Sequence, residues 1–116
     1  MELKEILVEA GFPYDEILYR FSGNEGLLKK YLLKFPQDPT FQELKHNVEM
    51  GDYVSVETSA HTLKGVSANL GFEKLSEICA QMVMAVREGE NEKITPLFHI
   101  AQEEYDAVLQ CLKQID

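Results

Sequence analysis

The chain has 116 residues, 45% of them apolar and 27% charged, with a formal net charge of −9. That is a globular composition of one-domain size, and no apolar run approaches the roughly 20 residues that span a bilayer. So acidic a surface excludes general nucleic-acid binding, which needs a basic footprint, and disfavours docking onto anionic membranes.

The start, Met1-Glu2-Leu3-Lys4-Glu5, has no basic stretch leading into an apolar one, so no secretory signal is expected and the location read from the sequence is cytoplasmic. Cys79 and Cys111 are too few for a disulfide scaffold; both fall on apolar helical faces, where a free thiol packs as a small hydrophobe.

In chain order, Leu3, Ile6, Leu7 and Ala10 recur at helical spacing as a stripe expected to face the core, and Gly11 supplies a stop. Pro13 opens a second short segment with Ile17, Leu18 and Phe21 on one face, broken by Ser22-Gly23-Asn24. Asn24 caps a helix expected to turn Leu27, Leu28, Tyr31, Leu32 and Phe35 inward and Lys29, Lys30 and Lys34 outward. Pro36 and Pro39 end it, and Asp38-Pro39 reads as an N-cap followed by proline at the first helical position of a helix running to about Met50. That helix carries Phe41, Leu44 and Val48 inward.

Gly51-Asp52 punctuates again. Asp52 caps a central helix extending to about Asn69, closed by Gly71 in a left-handed conformation. The next helix buries Leu75, Ile78, Cys79, Met82 and Val86 and stops at Gly89. A last one opens near Glu92 with Pro96 in its first turn and an inward stripe of Leu97, Ala101, Glu104/Tyr105, Val108, Leu112 and Ile115. No stretch alternates with period two. The spacing predicts an all-α fold, an antiparallel four-helix bundle with additional short N-terminal helices, formed by residues 1–116 as one domain.

The chemistry concentrates in the central helix. Val56, Ala60, Leu63, Ser67 and Leu70 form its inward stripe, and His61 lies about 140° away from the stripe's centre. His61 therefore looks outward, with Lys64 at i+3 and Gly65 at i+4. A glycine inside a helix costs roughly 0.5–1 kcal/mol relative to alanine. A bare backbone beside an imidazole has a use, since it lets another molecule approach closely. An exposed imidazole offers a nucleophilic ring nitrogen, and a lysine one turn on can meet the anionic oxygens of an arriving phosphoryl group.

Ala60, His61, Leu63, Lys64 and Gly65, then Ser67, Ala68, Leu70 and Gly71, follow the pattern Ala-His-x-Leu-Lys-Gly, small residues and a Leu-Gly pair. In this the sequence resembles the histidine-phosphotransfer (HPt) domains of multistep two-component phosphorelays, over nearly the whole chain. The resemblance implies a phosphocarrier, not an enzyme. His61 would take a phosphoryl group from the phospho-aspartate of a response-regulator receiver domain and pass it to another, with a hybrid sensor histidine kinase upstream. Lys64 would neutralise the phosphoryl oxygens and Gly65 would leave room for them. Mg²⁺ would belong to the receiver, so no cofactor and no metal site are expected in this chain, which is read as a monomer. The absence of a Gly-rich phosphate loop argues against autophosphorylation.

Many members of that family carry Gln or Glu 22 residues after the histidine, bonding its second nitrogen; that position is Val83, with Gln81 as the nearby polar substitute. The inward stripe of that helix leaves Met84 pointing outward and Val83 on its flank, and with Ala68 and Glu57 they are expected to form a partner-docking patch beside His61. His46 and His99 show no metal-ligand spacing, and Glu57 at i−4 from His61 makes at most a weak pair. The competing reading is a non-phosphorylated adaptor that docks a receiver domain and sequesters it.

Overall fold

The computed structural model describes residues 1–116 and contains seven α-helices, two 3-10 turns and no strand. The helices are α1 (Leu3–Glu9), α2 (Tyr14–Arg20), α3 (Glu25–Lys34), α4 (Thr40–Met50), α5 (Tyr53–Asn69), α6 (Glu73–Arg87) and α7 (Ile94–Leu112). The 3-10 turns, Phe35–Gln37 and Asn91–Lys93, lead into α4 and α7.

Local chemistry accounts for the boundaries. The Asn24 side chain accepts the Leu27 backbone N–H at 3.0 Å, and Asp52 accepts that of Ser55 at 3.2 Å and the Ser55 hydroxyl at 2.7 Å. Each satisfies a donor that a helix start leaves unpaired. The two hydrogen bonds from Ser55 hold the Asp52 carboxyl below the usual carboxylate range. At the α3–α4 junction the prolines give a clean break: Pro39 is the N-cap residue and Thr40 the first helical one, a position later than expected, and Asp38 accepts the Thr40 N–H at 2.8 Å. Pro96 occupies the first turn of α7, where its missing N–H has no intrahelical partner to lose.

α5 packs against both α4 and α6, α6 against α7, and α7 back against α4, so these four helices close a ring. Links of two or three residues turn α5 back on α4 and α6 back on α5. The core has 28 buried apolar residues running from Leu3 to Leu112, so the N-terminal helices share it with the ring. Leu28, Leu32, Leu44, Val56 and Leu63 are among the fully buried side chains, each contributing roughly 1.5–3 kcal/mol by leaving water. Phe41 stacks on Tyr105 with centroids 3.8 Å apart, Phe35 meets Phe72 at 5.0 Å, and Phe12 meets the same Phe72 at 5.0 Å. This aromatic seam ties α4, α7 and the α5–α6 turn to the N-terminal segment.

Gly71, at φ +83°, makes that turn possible. A Cβ there would lie 2.2 Å from Ile17 Cδ1, so α2 seats directly on the bare turn. No helix is long and apolar enough to cross a membrane.

Three expectations about burial are corrected. Leu27 and Tyr31 are 38% and 46% exposed, because α3 neighbours little beyond α2 and the following 3-10 turn and buries only a Leu28, Leu32 stripe that Phe35 continues. Ala10 is exposed at the end of α1. Val83, expected on an exposed flank, is 3% exposed and belongs to the core. α6 faces two neighbours, α5 and α7, and its apolar arc is wider than one stripe, taking in Val83 and Ala85 as well as Met82.

Candidate functional site

α5 is buried through Val56, Ser59, Ala60, Leu63 and Ser67. Serine and alanine dominate that stripe, and small side chains let neighbouring helices come close. The Asn47 amide donates to Ser59 Oγ at 2.8 Å and to the Ser55 carbonyl at 3.3 Å, fastening α4 to this face. The Ser67 hydroxyl is buried with no partner. With this side committed to the core, His61, Gly65 and Ala68 come out on the opposite side as an exposed line, and Lys64 is half-buried at its edge.

Two cross-links define how α6 lies along that line. Ser76 Oγ donates to the Lys64 carbonyl at 3.0 Å, and Arg87 Nε lies 3.6 Å from Glu57 Oε2. As the α5 number rises the α6 number falls, so the two helices are antiparallel. Interpolating between the links puts His61 level with Ala80 and Gln81. Ser76 and Arg87 mark the α5-facing line of α6; at about 100° per residue Val83 falls on it, Ala80 and Met84 at its outer edge, and Gln81 well round the helix. Val83 therefore points into the α5–α6 interface, and Gln81 points toward α7, where it lines a groove with Pro96 and Leu97. Neither reaches the imidazole, and no protein group hydrogen-bonds His61.

The expected docking patch is brought together in part. Met84 is 48% exposed at the α6 edge, Ala68 is exposed on the His61 line, and Glu57 is half-buried and paired with Arg87. Val83 is not part of it, being packed in the core.

The electrostatics around His61 are spare. Lys64 forms no ion pair, since the two salt bridges in the protein are Arg87–Glu57 and Lys93–Glu90. A Cβ built on Gly65 meets no atom within 4 Å. Nothing in the fold therefore requires glycine there, and its cost to the helix is offset by no packing gain. Thr58 and Thr62 turn their hydroxyls onto the carbonyls of Val54 and Thr58 in their own helix. What faces outward is an imidazole, an unpaired cation one turn on, and an unobstructed backbone. No group of three or more His, Cys, Asp or Glu side chains comes together to hold a metal ion.

Sequence reasoning missed Ser76, Arg87 and Arg20. Arg20 Nη1 donates to the Ala68 and Asn69 carbonyls at 2.9 and 3.2 Å, closing the C-terminal end of α5. All three act between helices, and spacing within one helix carries no signal of such pairings.

Comparison with curated proteins and with solved structures gives no significant match. The Hpt domain family model, in contrast, matches residues 28–115, which takes in α4 to α7 and the whole of the His61 surface. Hpt domains are helical phosphocarrier modules of two-component phosphorelays, working with receiver domains and histidine kinases. With a match over most of its length, this chain belongs to the Hpt domain family.

Proposed function

We propose that the protein accepts a phosphoryl group on His61 from the phospho-aspartate of one receiver domain and passes it to another. The observation that carries this reading is the exposed His61 with the unpaired Lys64 ammonium at i+3 and the unobstructed Gly65 at i+4. In the transfer, His61 Nε2 attacks phosphorus in line. A nitrogen–phosphorus bond forms while the phosphorus–oxygen bond to the partner's aspartate breaks, and its electron pair returns to that carboxylate. The proton on Nδ1 stays there, and the second transfer runs the same step in reverse onto another aspartate.

Such displacements depend on positioning and charge neutralisation more than on covalent machinery. Lys64 would neutralise the phosphoryl oxygens, and Gly65 would admit them to the helix surface. Ala68 and Met84 would form the contact rim, with Glu57 orienting through Arg87. Mg²⁺ would remain the receiver's, so this chain needs no cofactor of its own. Residues 1–116 would work as one cytoplasmic, monomeric unit downstream of a hybrid sensor histidine kinase.

The test is phosphoryl transfer from a phosphorylated receiver domain to wild type and to His61→Gln. A mass gain of one acid-labile phosphoryl group on wild type, absent in the variant, is the expected result. Tight binding of receivers without any gain in mass would replace the carrier by a sequestering adaptor.

A further inference from the structure

We infer that the groove between α6 and α7 is a second docking surface, built for a lysine- or arginine-rich segment of a partner protein that also carries an apolar anchor. The groove has a volume of about 600 Å³, and Ala80, Met84, Ala85, Pro96 and Leu97 give it an apolar floor. Four carboxylates stand around that floor, Glu77 on α6 and Glu88, Glu90 and Glu92 on the link to α7. One cation answers them. Lys93 lies 2.5 Å from Glu90, which leaves Glu77, Glu88 and Glu92 without an ion-pair partner.

The crowding is physical. The neighbouring Glu90 carboxyl pushes that of Glu88 above the usual carboxylate range. A cation arriving from outside relieves this repulsion, whereas an acidic or neutral occupant adds to it or leaves it standing. The apolar floor selects further, because a purely hydrophilic cation gains nothing from Met84 and Leu97. A basic segment with an apolar side chain satisfies both demands.

The groove adjoins the phosphotransfer line and shares Met84 with its proposed contact rim. Ala80 and Met84 stand between it and α5, and Gln81 turns into it and away from His61. The inference does not rest on the phosphotransfer reading, since it uses neither His61 nor Lys64.

The test uses the whole chain and a short fluorescent peptide of leucine and lysine patterned as an amphipathic helix. Binding is followed by polarisation, and the contact surface by amide shifts in the NMR spectrum. Glu88→Lys with Glu92→Lys reverses the groove's charge. Glu43→Lys with Glu49→Lys makes the same change in net charge on α4, a helix that contributes nothing to the groove. The groove pair should weaken binding about tenfold or more and the α4 pair less than about threefold, the difference between close contact and screened attraction. Met84→Gln should also weaken it, and shifts on wild type should cluster in residues 77–97. Equal losses from the two charge reversals, or shifts spread over the acidic surface at large, would overturn the assignment.

Discussion

Arg20 and Ala68 are 48 residues apart in sequence, yet the guanidinium of one donates to the carbonyl of the other at 2.9 Å. α2 lies outside the residues matched by the family model, while Ala68 lies on the exposed His61 line. The N-terminal segment thus holds the end of the helix that carries the candidate nucleophile. Arg20→Ala should destabilise the protein by about 1 kcal/mol, because water replaces an exposed charged donor at modest cost. Hydrogen exchange at the amides of Leu70, Gly71 and Phe72 should rise with it. Unchanged exchange there would mean that the contact holds nothing.

Gly65→Ala should separate stability from function. With open space at the Cβ position, alanine should raise stability by roughly 0.5–1 kcal/mol through its better helix propensity. Phosphoryl transfer should slow. A more stable variant that transfers at the wild-type rate would remove the access role from this glycine.

Gly71→Ala should behave in the opposite way. The left-handed backbone and the overlap with Ile17 Cδ1 act together, and a loss of about 2–4 kcal/mol is expected. Denaturant midpoints measure it, and Ile17→Ala in the same background should recover part of the clash. A Gly71→Ala protein as stable as wild type would show that the turn relaxes freely.

Stability should decline on the alkaline side through Tyr14. Its hydroxyl donates to Glu25, and that bond, with burial and nearby negative charge, pushes its pKa from 10.0 up to about 12. A raised value favours the neutral phenol in the folded state. The contribution is complete below pH 10 and is lost as pH climbs toward about 12. Tyr14→Phe should flatten that fall in a series of denaturation curves, with tyrosinate absorbance following the titration. Parallel curves for the two proteins would refute the assignment.

Burial pushes the Cys79 thiol up to about 12 and raises that of Cys111. Thiolate is the reactive form, so neither should react with an aromatic disulfide reagent at about pH 8 while the protein is folded. Both should react once it is denatured. Rapid labelling of Cys79 in the native protein would reveal an opening of the α6 packing.

The parts of the fold legible in the sequence are those written locally. Asn24 and Asp52 cap their helices by hydrogen bonds to residues three positions on, and Gly71 is left-handed as a glycine after a long amphipathic run should be. The outward position of His61 follows from the stripe Val56, Ala60, Leu63, which is buried as expected. What spacing does not carry is the number of neighbours a helix meets. Val83 is buried because α6 meets α5 and α7 together, and Leu27 is exposed because α3 meets few. Arg20, Ser76 and Arg87 became visible only with the chain folded, since their partners lie on other helices.

The imidazole of His61 is unanchored, with Thr58 and Thr62 occupied by their own helix and Val83 sunk in the core. A ring without a hydrogen-bond partner has to be ordered anew in every encounter. Ordering one side chain costs about 0.5–1.5 kcal/mol, equivalent to roughly a twofold to tenfold loss of affinity. On the phosphocarrier reading the penalty falls equally on the complex that delivers the phosphoryl group and on the one that takes it away. Both complexes are shorter-lived for it, and turnover between successive partners gains what each encounter loses in tightness.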